Sequence, residues 1–174
     1  MDRLLVVTGA SGVGKSSVSA AVAASLEPSV HLRVDDFLFS VVGGWIDPWL
    51  PEAAPQNDAV GRAAIAAAMQ FVAAGYTVVV DGTIFPDAID ELAPACREHH
   101  VALHYVVLRC PFDVARDRAA TRDGTRPGPA SATTLHARFE DLGGYEHHAV
   151  DASGPPDEVA TAVVTAFTEG ALRV

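Results

Sequence analysis

The chain has 174 residues, about the size of one domain, so we expect a single domain over residues 1–174. Its 22 acidic and 12 basic residues give a formal net charge of −10. A surface that binds nucleic acid is normally rich in basic residues, so we do not expect nucleic acid as a partner. No apolar run approaches the roughly 20 residues that span a bilayer, and the first residues do not resemble a signal peptide. We therefore expect no membrane partner and a cytoplasmic location. The sequence leaves the oligomeric state open.

Short, continuously apolar runs alternate with alanine-rich helical patterns along the chain. We predict strands at 4–8, 31–34, 76–80, 101–108 and 147–150. We predict helices at 16–26, 58–74, 86–99, 111–121, 131–141 and 156–171, with Pro94 kinking the third of them or ending it early. Continuous rather than alternating apolar strands indicate an α/β fold with a parallel sheet covered by helices on both faces. The irregular stretch at 37–57 is long enough to suggest a functional segment.

A glycine-rich loop lies between the first strand and the first helix. Residues 9–16 read Gly-Ala-Ser-Gly-Val-Gly-Lys-Ser, which meets the pattern G-x-x-x-x-G-K-[ST] in full. In such a loop the backbone amides and the helix dipole hold phosphates, Lys15 reaches the β- and γ-phosphates, and the Ser16 hydroxyl ligates Mg²⁺. Lys15 is the only lysine of the chain. We therefore predict ATP and Mg²⁺ as cofactors, with GTP left open as the donor, and nucleotide contacts at Gly9, Ala10, Ser11, Gly12, Val13, Gly14, Lys15, Ser16 and Ser17.

Three aspartates follow predicted strands. Asp81 comes directly after the strand at 76–80, where a carboxylate near magnesium is expected. Asp35 and Asp36 end the second strand, and a carboxylate there can orient an acceptor hydroxyl and take its proton. We favour Asp35 as this base and give Asp36 the metal or solvent side, since two adjacent carboxylates are costly to bury together. The alternative is that both aspartates cap a helix, or that Asp81 caps the next turn.

Four arginines, Arg116, Arg118, Arg122 and Arg126, lie in a row across a helix-to-loop boundary that leads into a Gly/Pro-rich break. Arginines on a closing lid can neutralise the charge that develops on a transferred phosphoryl group. We predict a lid at about 116–138, with Arg118, Arg122 and Arg126 as catalytic residues beside Lys15. The alternative is a solvated basic helix that pairs with neighbouring aspartates.

Taken together, these residues resemble the P-loop small-molecule kinases, and most of all the chloramphenicol phosphotransferases. The likeness covers most of the chain and rests on residues 9–17, 34–35, 78–81, 107–110, 116–126 and 149–151. Only the phosphate loop is highly specific; the other segments count through their order and spacing. The resemblance implies a five-stranded parallel sheet, a catalytic base at Asp35, Asp81 near magnesium and a small arginine-rich lid. The acceptor region matches poorly.

The acceptor region, at about 35–96, is poor in cations and rich in aromatic residues. Arg62 is the only cation between Val34 and Cys96, so the arginines that hold a phosphorylated acceptor are largely missing. Small-molecule pockets are mostly apolar with a few polar groups. We predict acceptor contacts at Phe37, Trp45, Trp49, Thr83 and Phe85, although some of these side chains can instead pack a helix onto the sheet.

The sequence thus predicts a kinase that transfers phosphate from ATP to a hydroxyl of a neutral or cationic, partly apolar small molecule, with an antibiotic as the leading idea. Two alternatives stay open. One is a nucleotide-dependent binding protein or NTPase switch without an acceptor. The other is a nucleoside or nucleotide kinase, which requires arginines folded in from Arg33, Arg62 or Arg97.

Overall fold

In the computed structural model, which describes residues 3–120 and 129–174, five parallel strands form one sheet in the order β2-β3-β1-β4-β5. The strands are β1 (Arg3–Thr8), β2 (Ser29–Arg33), β3 (Thr77–Asp81), β4 (Ala102–Arg109) and β5 (Ala149–Asp151). Leu4 to Val7 are fully buried, and since successive residues of a strand point to opposite faces, both faces of the sheet are covered. The predicted parallel sheet is confirmed.

Seven α-helices connect and cover the strands in the described residues: α1 (Lys15–Ala24), α2 (Val34–Leu38), α3 (Ala54–Ala73), α4 (Pro86–Glu98), α5 (Phe112–Ala120), α6 (Pro129–Ala137) and α7 (Pro156–Thr168). Short 3₁₀ turns occupy Pro51–Ala53 and Gly143–His148. The sequence predicted that Pro94 would kink α4 or end it early. Helix α4 continues without interruption past Pro94 to Glu98, so Pro94 does not end it early. None of the described helices is long and apolar enough to cross a membrane.

The irregular stretch is shorter than expected. Helix α2 covers its first residues, and α3 begins at Ala54. Helix α6 begins and ends earlier than the predicted 131–141. What remains irregular is mainly the segment 39–50, which we call the aromatic loop because it contains Phe39, Trp45 and Trp49.

The strand register brings three chain segments to one edge of the sheet. Asp81 of β3 is level with Val7 of β1 and with Arg33 of β2. The segments that follow these residues are the phosphate loop, the loop after β3 and helix α2. Ligands of open α/β sheets bind at this carboxyl edge, so the register assembles a site from segments that are far apart in sequence.

Candidate active site

Two glycines of the phosphate loop approach other backbone segments closely. Gly9 and Gly12 have φ angles of 141° and 85°, in the region that favours glycine. A Cβ atom on Gly9 would collide with the carbonyl oxygen of Leu108, and one on Gly12 would collide with that of Ala115. The loop conformation therefore depends on glycine at these two positions, and it is packed against β4 and α5.

The loop delivers the chain to the N-terminus of α1, which begins at Lys15. No side chain caps this terminus and its first turn holds no acidic residue. The first amide groups of a helix have no partner within the helix, and the helix dipole adds positive potential there. Nζ of Lys15 donates a hydrogen bond to the carbonyl of Ala10 at 3.0 Å, which holds its positive charge over the loop. The arrangement fits a bound phosphate chain.

Asp81 lies behind this loop at the end of β3 and is only 4% exposed. Burial alone would raise the pKa of its carboxyl group, but the neighbouring His31 imidazole, the Ser16 hydroxyl and the positive charge of Lys15 hold the pKa below its usual value. Asp81 is therefore ionised at neutral pH, and Lys15 and Ser16, the two side chains that the motif assigns to nucleotide and metal, both favour this ionised form.

The same residues fit a magnesium ion. Mg²⁺ prefers hard oxygen ligands and usually takes only one or two from the protein, the rest coming from water and substrate phosphates. The Ser16 hydroxyl and the ionised Asp81 carboxylate are such ligands, and the Ser16 hydroxyl contributes to the lowered pKa of Asp81. Among residues 3–120 and 129–174, no group of three or more carboxylate, histidine or cysteine side chains that could hold a metal ion is found.

Asp35 and Asp36 do not end the second strand, as the sequence suggested; they lie in the first turn of α2, after β2 ends at Arg33. The two carboxylates differ in their surroundings. Asp36 pairs with Arg33 at 3.5 Å. Asp35 is exposed, and no hydrogen bond or ion pair of its carboxylate is found in the described part of the chain. Val34 packs where a Cβ on Gly82 would lie, so α2 starts directly beside the end of β3.

The arginine row is only partly described. Arg122 and Arg126 lie outside the described residues. Arg118, on α5, donates from Nη1 to the carbonyl of Ala152 at 2.7 Å and from Nη2 to those of Ser153 and Gly154 at 2.8 and 3.2 Å. Arg116 is exposed and pairs with its neighbour Asp117. In this structure Arg118 therefore ties α5 to the loop after β5.

Phe37 lines a cleft of about 370 Å³ between α2 and α3, together with Val41, Gln56 and Val60. The cleft is apolar for the most part. Residues two apart on a helix do not face each other, so Phe37 and Asp35 lie on different faces of α2. The predicted contact residue Phe37 thus borders a cavity, but a cavity turned away from the candidate base.

Phe39 rather than Phe37 shares the helix face of Asp35. Its amide donates to the Asp35 carbonyl at 2.9 Å, one turn along. Its ring is 55% exposed and stacks on Trp45, with ring centroids 5.8 Å apart and an interplanar angle of 11°. We call Phe39 and Trp45 the aromatic pair. Trp49 is half-buried.

Helix α3 holds the aromatic loop in place. The side chain of Gln56 accepts from the amide of Ile46 at 3.0 Å and donates to the carbonyl of the same residue at 2.8 Å. The side-chain amide of Asn57 donates from Nδ2 to the backbone carbonyl of Pro48 at 2.7 Å. Trp45 donates from Nε1 to Asp47 at 3.1 Å. The aromatic pair is therefore preorganised.

Thr83 and Phe85 follow Asp81 on the other side of the site. Thr83 is exposed. Phe85 is half-buried, stacks on Phe139 with ring centroids 4.7 Å apart, and is covered by the guanidinium of Arg138 at 3.4 Å. Phe85 is thus partly a packing residue, and it brings a cation to the acceptor side.

Three residues of this site were missed by the sequence analysis: His31, Phe39 and Arg138. His31 lies inside a strand and approaches Asp81 only through the pairing of β2 with β3. Arg138 lies beyond the region assigned to the acceptor. Phe39 belongs to the aromatic-rich acceptor region, but its position one turn after Asp35 depends on helix α2, which the sequence did not predict.

A parallel α/β sheet whose first strand feeds a phosphate loop into a helix, with Ser16 against a buried aspartate, defines a P-loop nucleotide-binding protein. The chain belongs to a family described as an AAA domain, whose model matches residues 4–141. No curated protein sequence matches the chain.

Solved structures give the fold in more detail. A gluconokinase from Sinorhizobium meliloti 1021 is 23% identical with a TM-score of 0.67, covering 98% of this chain and 94% of its own. A tunicamycin resistance protein from Deinococcus radiodurans is 18% identical, with a TM-score of 0.62 and coverages of 100% and 99%. A shikimate kinase from Aquifex aeolicus vf5 is 17% identical, with a TM-score of 0.62 and coverages of 97% and 98%. The fold is that of the P-loop small-molecule kinases.

Proposed function

We propose that the protein is an ATP-dependent phosphotransferase that moves the γ-phosphate to a hydroxyl of a neutral or cationic, partly apolar small molecule, with an antibiotic of the chloramphenicol type as the leading candidate. The observation that carries the proposal is the meeting of two sets of groups at one sheet edge. Lys15, Ser16 and Asp81 serve the donor, and Asp35 lies in the first turn of α2 at the same edge, with no partner of its carboxylate found among the described residues. A protein that only binds or hydrolyses nucleotide has no need of an acceptor-side carboxylate.

In the proposed reaction the acceptor oxygen attacks the γ-phosphorus while the bond from that phosphorus to the β–γ bridging oxygen breaks, and ADP leaves. The acceptor hydroxyl gives its proton to the carboxylate of Asp35. Lys15 and the amides of the phosphate loop hold the phosphate oxygens in line for the transfer. Bound Mg²⁺, held through Ser16 and Asp81, supplies neutralisation of phosphate charge. GTP remains an alternative donor to be compared with ATP.

The lid at about 116–138 is proposed to close over the phosphates and exclude water, with Arg122 and Arg126 neutralising the charge of the transferred group. Arg118 joins them only if its guanidinium leaves the carbonyls of residues 152–154. In the present structure Arg118 anchors α5, the helix from which the proposed lid begins.

The acceptor side, at about 35–96, supports a neutral or cationic acceptor. Arg33 pairs with Asp36, and Arg62 pairs with Asp58. Arg97 lies in the last turn of α4, which leads into the amino end of β4, so it is at the opposite edge of the sheet. A nucleoside or nucleotide kinase would need an arginine from Arg33, Arg62 or Arg97 at its acceptor. None of these three side chains is directed to an acceptor. Trp45, Trp49, Thr83 and Phe85 are proposed as contacts, and Phe39 is added to them.

Arg138 is the exception, because its guanidinium lies over the ring of Phe85. A cation in this position can pair with an anionic group of an acceptor. The acceptor panel must therefore include anionic compounds beside neutral and cationic ones.

The test is an assay of the purified protein with ATP and Mg²⁺ against chloramphenicol, aminoglycosides, gluconate, shikimate, sugar phosphates and nucleoside monophosphates. We expect equal amounts of ADP and a phosphorylated acceptor, identified by mass spectrometry, with a neutral or cationic compound. Release of inorganic phosphate alone would instead favour an NTPase switch. Phosphorylation of only nucleoside monophosphates or sugar phosphates would show the acceptor argument to be wrong.

A further inference from the structure

His31 lies next to the proposed metal site with one nitrogen out of reach of solvent. The residue sits in β2, and its side chain is 19% exposed. Its Nε2 atom is buried and has no hydrogen-bond partner within the described residues. Oδ2 of Asp81 lies 3.6 Å from this nitrogen. An N–H···O hydrogen bond is usually about 2.9 Å long, so the contact is near to forming rather than formed.

The strand register explains why these two residues meet. Arg33 of β2 is level with Asp81 of β3, and His31 is level with Val79. Residues that alternate along a strand share a face, so His31 and Asp81 project from the same face of the sheet. Helix α1, which carries Ser16, packs against both strands. The Asp81 carboxylate thus has both the His31 imidazole and the Ser16 hydroxyl as neighbours.

A purely structural role does not account for this histidine. Leaving a buried N–H without a partner costs about 1–3 kcal/mol, whereas an apolar side chain would fill the same space at no such cost. Within the described part of the chain, Oδ2 of Asp81 at 3.6 Å is the acceptor that can give this nitrogen a partner. Metal-binding side chains commonly have such outer partners, which fix their orientation.

We propose that His31 is a positioning residue for the magnesium site: its Nε2–H hydrogen-bonds Oδ2 of Asp81 and fixes the carboxylate in the orientation that serves Ser16 and the ion. Both the neutral Nε2–H tautomer and the imidazolium donate from this atom, so the bond does not depend on a change of charge. The inference rests on the proposed function for its use of Mg²⁺ and ATP.

The experiment compares ATP binding in the presence of Mg²⁺ and in the presence of EDTA, by calorimetry, without any acceptor. Three substitutions of His31 separate the effect of losing the hydrogen-bond donor from the effect of changing the volume of the side chain. His31→Leu keeps an apolar filling but has no donor. His31→Gln carries an amide at about the distance of Nε2, and His31→Asn carries one that stops short of it. Exposed His99→Leu is the control.

We expect the tightening of ATP binding by Mg²⁺ to weaken about tenfold or more in His31→Leu and His31→Asn, within the range typical of outer-shell partners. His31→Gln should restore it, and binding in EDTA should not change in any variant. Adding His31→Leu to Asp81→Asn should cause no further loss, because His31 acts on the ion only through the Asp81 carboxylate, which the second substitution removes. In ¹⁵N-labelled protein the Nε2–H proton should become protected from exchange when Mg²⁺ and ATP bind.

An unchanged magnesium effect in His31→Leu would overturn the inference, as would a His31→Gln variant as weak as His31→Leu. A wild-type protein that binds ATP equally well with and without Mg²⁺ would overturn it too. The result is independent of the acceptor. If the magnesium effect follows His31 while no acceptor is phosphorylated, the proposed phosphotransfer fails and the role of His31 stands.

Discussion

Asp35 and Asp36 are neighbours in one short helix, yet their carboxylates have different surroundings. Successive residues of a helix point about 100° apart. Asp36 is directed to Arg33, with which it pairs, and Asp35 keeps an exposed carboxylate one turn before the aromatic pair. A base must be able to reach its substrate, and an ion pair would hold it elsewhere. Residue by residue, the structure favours Asp35.

For Asp35→Asn we expect kcat to fall by about 10²- to 10⁴-fold, because the amide cannot accept the hydroxyl proton. The affinity for ATP should stay the same, since the side chains assigned to the phosphates and the metal are Lys15, Ser16 and Asp81 rather than Asp35. Steady-state kinetics and calorimetry measure the two quantities. Asp36→Asn is the matched control and should keep most of the activity; if it loses activity instead, the base is Asp36.

Lys15→Ala should weaken both ATP binding and the rate. The charge of Lys15 meets the phosphates in the ground state and in the transition state, and charged hydrogen bonds contribute about 1.5–3 kcal/mol, which corresponds to roughly 10- to 100-fold in Kd. Lys15→Arg keeps the charge in a different shape and should recover part of the affinity. Equal Kd values for wild type and Lys15→Ala would contradict the assignment.

At the scale of elements, the sequence predicted the strands well because their signal is local. Leu4 to Val7 and Val78 to Val80 are unbroken apolar runs, and both are fully buried. The phosphate loop was found for the same reason, since all its residues are consecutive. Helix α2 was missed because Val34–Leu38 is too short to show a helical period, and Asp35 and Asp36 looked like the end of a strand.

The rest of the site depends on contacts between distant segments. His31 and Asp81 are about 50 residues apart in the sequence and meet only because β2 pairs with β3. Arg138 and Phe85 are similarly distant. The aromatic loop is fixed by Gln56 and Asn57, whose bonds go to backbone atoms. A single amino-acid sequence does not show which distant segments pair in the fold, so it does not predict such contacts.

The phosphate loop should tolerate no side chain at Gly12. Gly12→Ala places a left-handed residue and a Cβ against the carbonyl of Ala115, so the loop must move away from α5. Gly44→Ala is a matched control, with a φ of 75° and open space around the added carbon. Both variants carry about 1–3 kcal/mol of backbone strain. Only Gly12→Ala should also lose ATP affinity; calorimetry and denaturant unfolding compare them.

The aromatic loop should act on the acceptor and leave the donor alone. For Phe39→Ala we expect kcat/KM to fall about 2- to 10-fold for acceptors with a flat apolar ring, in line with 0.5–1.5 kcal/mol for an aromatic pair. ATP affinity should be unchanged. Phe71→Ala is the control, since Phe71 is 39% exposed and contacts Tyr76 edge to face near the opposite edge of the sheet. Equal losses for ringed and ringless acceptors would argue against the contact.

At the scale of the whole molecule, two buried histidines couple stability to pH. His104 is 4% exposed and lies edge-on to Phe167, and His148 is 2% exposed and bonds the carbonyl of Tyr105 through Nδ1 at 2.8 Å. Burial lowers the pKa of His104 to about 4, and burial likewise lowers the pKa of His148. The folded state therefore holds both rings neutral.

Stability should fall on acidification in a defined window. An unfolded histidine takes up its proton near pH 6.5, whereas His104 in the folded state does so only near pH 4. Protons thus favour unfolding between these values, and the contribution, present above pH 6.5, is lost as the pH falls to about 4. The loss from His104 alone is ~3 kcal/mol. Denaturant unfolding at stepped pH measures it. His104→Leu should flatten the slope in this window, while exposed His99→Leu should leave it unchanged.

Because Gln56 and Asn57 hold the aromatic loop through its backbone, the side chains of the segment 39–50 can be changed while the loop stays in place. The bonds from Gln56 and Asn57 are made to the main chain of Ile46 and Pro48, so they do not depend on which side chains the loop carries. A library that randomises positions 39, 42, 45 and 49 while keeping Gln56 and Asn57 therefore changes the contact surface without releasing residues 46 and 48 from α3. The same scaffold can in this way be retargeted from one acceptor to another, with its nucleotide machinery left intact.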